Sequence, residues 1–99
     1  MTEVPEVALR EAIRGLHGCD SRWVEAVPVR EVHEGLTVWD GDVQVFDLID
    51  HPKATRAYAW SHETEGGKRR FVAVLHLPPV ASPQAAVRAA IVAEHRGLG

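Results

Sequence analysis

The chain of 99 residues has a single cysteine, Cys19. One thiol closes no internal disulfide, so a secreted disulfide framework is excluded. Long apolar runs are missing too: no stretch approaches the ~18 residues that would span a bilayer. The opening MTEVPEVALREAI carries acids where a secretory leader has a basic start and an unbroken apolar segment. These features lead us to expect a cytoplasmic protein with no membrane role. An excess of positive charge is also lacking, with 11 Lys and Arg against 14 Asp and Glu for a net charge of −3. Such a chain has no general attraction for phosphate backbones, which disfavours nucleic acid as a partner. Lys68, Arg69 and Arg70 form its only run of three cations, and they sit at a turn.

The familiar chemical motifs are absent as well. Six histidines (His17, His33, His51, His62, His76 and His95) form no HExxH, and there is no cysteine pair to complete a metal set. Gly66-Gly67 precedes a strand rather than a helix, so it is not a phosphate loop. Ser21, Ser61 and Ser82 lie in no nucleophile elbow, and Cys19 follows a helix C-terminus, whose dipole does not lower a thiol's pKa. We therefore expect no metal, no cofactor and no catalytic residues, and lean away from an enzyme.

What remains is an ordinary globular composition, 45% hydrophobic and 25% charged, of the size of one domain spanning residues 1–99. Residues 4–16 show helical spacing of Leu9, Ala12, Ile13 and Leu16, with Pro5 in the first turn and Gly15 and Gly18 at the end. Residues 23–32 read as a strand; Pro28 inside it marks an edge strand or a bulge. Glu34-Gly35 is a turn. Residues 37–49 are a second extended run, interrupted by Asp40-Gly41-Asp42 as a bulge or bend, the alternative being a tight hairpin turn. Residues 57–77 read as a β-hairpin. Ser82-Pro83 opens the last helix as N-cap and N1, with Val87 and Ile91 as its anchors. The expected fold is α+β and two-layer: an N-terminal helix, an antiparallel sheet of three to four strands, and a C-terminal helix packed on the sheet. In topology the second half resembles the double-stranded RNA-binding domain, a hairpin followed by an alanine-rich helix opened by Ser82. That family clusters lysines at the start of the helix. Pro83, Gln84, Ala85 and Ala86 stand there here, so the resemblance implies topology and no RNA activity.

One pattern departs from a simple two-layer domain. Strand side chains alternate faces, so a sheet covered on one side shows one apolar face. Here Phe71, Ala73, Leu75 and Leu77 oppose Val72 and Val74, and Val43, Val45 and Ile49 oppose Phe46 and Leu48. The second face requires cover: helices split between faces, a curled sheet, or another chain. At ~25 cal/mol per Å² a bare apolar face is costly, which favours a homodimer or protein partner seated there, against the alternative that the chain covers both faces itself. The residues singled out for binding are Arg56, Tyr58, Trp60 and His62 on one strand face, with His51 in the preceding loop; aromatics and arginine carry interface energy. The plainer reading makes one tryptophan core and Tyr58 a rim residue. The best functional expectation is a small interaction domain. The alternative is a small-molecule or enzymatic site near Asp47, His51, Arg56 and Tyr58.

Overall fold

Glu34 (φ 51°) and Gly35 (φ 79°) both adopt left-handed backbone and turn the chain between its two longest strands. Two consecutive positive φ angles are the signature of a tight type I′ hairpin, whose twist matches that of the strands it joins. The computed structural model describes residues 6–64 and 66–95. Its elements are α1 (Glu6–His17), β1 (Asp20–His33), β2 (Leu36–Ile49), β3 (Arg56–Glu63), β4 (Arg69–Leu75) and α2 (Pro83–His95). The four strands form one antiparallel sheet in the order β1-β2-β3-β4. The expected α+β order of helix, antiparallel sheet and helix therefore stands. Pro5 lies outside the described residues.

Both helices end and begin as local chemistry dictates. Gly18, at φ 71°, terminates α1 and its N–H bonds to the Arg14 carbonyl at 2.9 Å. Gly15 does not end the helix, which runs through it to His17. The Ser82 hydroxyl accepts from the Ala85 N–H at 3.1 Å and so caps α2.

The helices divide the two sheet faces between them. Leu9 and Ile13 of α1 pack with Phe46, Ala57 and Ala59. Ala86 and Val87 of α2 pack with Val43, Val45, Tyr58 and Trp60. Since Val45 and Phe46, or Tyr58 and Ala59, are sequential on a strand, these clusters lie on opposite faces. Helix, sheet and helix thus stack, each helix making its own layer pair with one face. The alternating pattern of small Ala57, Ala59 and Ala73 opposite α1 and large Tyr58 and Trp60 opposite α2 leaves α1 room to approach closely. The apolar sheet face offered above to a partner is therefore covered within the chain, because α1 and α2 each bring an apolar stripe to a different side.

Register refines three expectations. Asp40-Gly41-Asp42 is neither turn nor bulge: β2 runs straight through it, pairing Arg30 with Asp40, Val29 with Gly41 and Pro28 with Asp42. Glycine serves there because the Trp39 indole lies over it; a Cβ on Gly41 would sit 3.3 Å from the ring. The irregularities fall elsewhere, between Trp23 and Glu25 and between Glu31 and Val32. Pro28 does sit on an edge strand, but without a bulge. In the second hairpin Trp60 faces Val72 and His62 faces Arg70, the register in which His62 and His76 stand apart.

Among the described residues β2 pairs with β3 only from Gln44↔Ala59 to Asp47↔Arg56. Beyond that short ladder each hairpin stands on its own. Trp39 and Trp60 bridge the fork edge-to-face, with ring centroids 5.6 Å apart. α2 is tied to the β1 side by Glu31, whose carboxylate accepts from Arg88 Nε at 2.9 Å and from Gln84. Those hydrogen bonds hold the Glu31 carboxyl below the usual carboxylate range.

Candidate functional site

The strand set Arg56, Tyr58, Trp60 and His62 does share one face, but that face lies under α2 and only its ends reach solvent. Tyr58 and Trp60 are 3% and 4% exposed and belong to the α2 core. They are therefore packing residues in the described chain rather than a presented surface, and Tyr58 is core where the plainer sequence reading put it at the rim. His62 is half-buried, with Nδ1 3.4 Å from the Glu63 carbonyl. His51 serves its own loop: Nδ1 accepts from the backbone N–H groups of Lys53 (3.1 Å) and Ala54 (3.0 Å). That is the Asx-like turn chemistry by which a short polar side chain orders adjacent backbone.

Arg56 has the most chemistry around it. It opens β3, where the sheet is regular, and four strands place four polar residues in one line. Arg22 pairs with Asp47 in the β1–β2 ladder, and Asp47 pairs with Arg56 in the β2–β3 ladder. His76 donates its backbone N–H to the Arg56 carbonyl at 2.9 Å, extending the β3–β4 register past Leu75. Directly opposed residues share a face. Arg22, Asp47, Arg56 and His76 therefore form a cross-strand row at the base of the α2 face. Asp47 Oδ1 accepts from Arg56 Nε (3.4 Å) and Nη2 (3.3 Å), while Oδ2 lies 3.8 Å from Arg22 Nη2.

Tyr58 links this row to the core. Its hydroxyl lies 2.6 Å from His76 Nδ1, the diagonal reach that an aromatic ring has across a sheet. Burial pushes the phenol above its ordinary value, against the opposing pull of Arg56. The Tyr58–His76 hydrogen bond fixes the His76 ring beside the row. The sequence grouped Asp47, His51, Arg56 and Tyr58; the structure sets Asp47, Arg56 and Tyr58 on one face, while His51 is engaged by its own loop. Arg22 and His76 were not part of that group, although the register that pairs Trp60 with Val72 already sets His76 beside Arg56. Arg22 requires the β1–β2 register, which a bulge at Trp23–Glu25 hides from simple counting.

His17 Nε2 contacts the Ala73 carbonyl at 2.9 Å, and His76 is engaged by Tyr58. Among the described residues no group of three His, Cys, Asp or Glu side chains is placed to hold a metal ion. Burial, and then the neighbouring Asp20, pushes the Cys19 thiol above its usual value, the reverse of what a nucleophilic cysteine needs.

A second feature lies at the far end of the sheet, and the sequence did not point to it. The β1–β2 hairpin runs beyond the cover of α1, and its tip meets the C-terminal half of α2. Val32, His33 and Val38 of the hairpin and Ile91 and Val92 of α2 line an open groove of about 520 Å³, with Glu31 and Arg88 at one side. Val32 is 52% exposed, Val38 47% and Val92 48%, and Leu36 beside the turn is 71% exposed. The signal available in sequence was the apolar Val32, Leu36 and Val38 flanking a Glu-Gly turn. Only the covering of both sheet faces singles them out. Comparison of the chain with protein-family models, with curated proteins and with solved structures finds no match in any of the three. No helix among the described residues is long and apolar enough to cross a membrane.

Proposed function

We propose that this chain is an interaction domain that meets a second copy of itself through the apolar end formed by the β1–β2 hairpin and α2. The observation that supports it is the placement of exposed apolar side chains. Both sheet faces carry a helix in cis, yet Val32, Val38 and Val92 remain open around one groove, with Leu36 exposed at the hairpin turn, while Val7, Leu16, Trp23 and Ile49 are exposed away from it. A contiguous apolar patch with a polar edge is the usual mark of a protein contact, and scattered single apolar residues are not. A hairpin tip is also a self-complementary shape: under a two-fold axis the tip of one copy enters the groove of the other, and one patch serves both partners.

The test is oligomeric state. Size-exclusion chromatography with light scattering at micromolar to millimolar concentration gives a mass of about twice 10.9 kDa for the intact chain at the upper end. Val38→Lys places an ammonium in the apolar contact and returns the mass to that of the monomer without loss of helix or sheet signal. A monomer of 10.9 kDa across the whole range overturns the proposal.

A further inference from the structure

We propose that the cross-strand row Arg22–Asp47–Arg56–His76 binds a small carboxylate-bearing molecule, whose carboxylate takes N–H donors of the Arg22 and Arg56 guanidiniums that Asp47 leaves unused. The row sits at the other end of β1 from the apolar groove, so its success or failure is independent of self-association.

Charge comes first. Two guanidiniums face one carboxylate, and Arg30, Arg69 and Arg88 are committed elsewhere to Asp40, Glu63 and Glu31. The row thus carries a local surplus of one positive charge on a chain whose overall charge is −3. Geometry adds to this. Arg56 directs both Nε and Nη2 at the same oxygen of Asp47, at 3.3–3.4 Å, rather than forming two parallel bonds to two oxygens. Arg22 stands 3.8 Å from the other oxygen, outside hydrogen-bond distance, and its side chain is 79% exposed. Each guanidinium has five N–H donors, so most of those on this row face water and are available to an incoming acceptor. Asp47 itself shows which acceptor fits: a planar carboxylate already spans the gap, one oxygen toward each arginine.

The platform beneath is rigid, which separates this row from an ordinary surface ion pair. Arg56 is followed by buried Ala57 and Tyr58, and Asp47 is preceded by buried Val45 and Phe46. The Tyr58 hydroxyl holds the His76 ring, and the His76 backbone holds Arg56. A charged pair mounted on fixed backbone loses less side-chain freedom when it binds.

The experiment titrates succinate into the intact chain at constant ionic strength, with chloride as reference, and follows arginine Nε–H signals by NMR. The expected result is saturable movement of the Arg22 and Arg56 signals with succinate and none with chloride. Arg22→Gln and Arg56→Gln each weaken binding about tenfold, as loss of a charge-assisted bond implies. Arg10→Gln, on α1 beside Glu6, leaves it unchanged. Asp47→Asn is decisive, because it removes the internal carboxylate that competes for the same donors. Binding of succinate then strengthens several-fold while chloride still gives no saturable shift, whereas general anion attraction strengthens both alike. Arg22 is exposed enough that its variant folds even if the Arg56 variant does not. Three results each overturn the proposal: shifts that chloride reproduces, an Asp47→Asn variant that binds no more tightly, or inorganic phosphate preferred over succinate by tenfold or more.

Discussion

Removing the Phe46 ring tests whether the chain covers its second sheet face unaided. Phe46 is fully buried, and Leu9 and Ile13 of α1 close over it. Across the sheet it pairs with Trp23 on β1 and Ala57 on β3, and Ala57 and Ala59 have no side-chain length with which to refill a hole. Phe46→Ala therefore leaves a cavity that relaxes little, placing the cost at about 4 kcal/mol within the usual range for such truncations. A domain of this size has about 5–15 kcal/mol in total, so the variant sits near the edge of folding. At that cost the melting temperature falls by roughly 15–30 °C. The assay is urea and thermal unfolding, followed by far-UV circular dichroism and by tryptophan fluorescence. Trp39 and Trp60 report the α2 side, Trp23, paired with Phe46, reports the α1 side, and helix signal reports both. Coincident loss of both signals at lower urea is expected, because one sheet carries both cores. A cost below about 1 kcal/mol would refute the reasoning, since it would mean that α1 does not seat on Phe46 and that this face is available to another chain.

Two further predictions concern local chemistry. The Tyr58 phenol is raised in the folded chain above its ordinary value of 10.0, so its contribution to stability is present below that pH and is lost as pH rises through it. A urea-midpoint series from pH 8 to 11 in a Cys19→Ser background, which removes the other raised acid of that range, shows that decline, and Tyr58→Phe flattens it; an unchanged slope in the variant would place the titrating group elsewhere. Ser82→Ala removes the acceptor that the Ala85 N–H uses at the start of α2 and costs about 1 kcal/mol in chemical denaturation, whereas Ser82→Asp retains most of it.

Much of the fold was legible because it rests on short-range rules. Ser82 followed by Pro83 locates the start of α2. Gly18 ends α1 because glycine takes positive φ without a Cβ clash. Glu34-Gly35 and the unbroken apolar run from Phe71 to Leu75 mark a turn and a strand. Asp40-Gly41-Asp42 misleads for a physical reason. Aspartate and glycine are turn residues by local propensity, yet here the glycine makes room for an indole that reaches toward the second hairpin to meet Trp60. A tertiary contact outweighs a local preference that is worth little inside a strand already paired with its neighbour.

The sequence by itself determined that both faces of the sheet must be covered, since apolar residues at successive strand positions point to opposite sides whatever the fold. It could not determine what supplies that cover. Two short helices can share one face, divide between two, or leave one to a partner, and the periodicity of Leu9 and Ile13 or of Val87 and Ile91 is the same in each case. Only the tertiary structure decided it, by setting α1 against Phe46 and α2 against Tyr58 and Trp60. That division turned Tyr58 and Trp60 into core, left Val32, Val38 and Val92 among the exposed apolar residues, and drew Arg22 and His76 into line with Asp47 and Arg56. Each of these outcomes depends on strand register and helix placement, which are set by contacts between residues far apart in the chain.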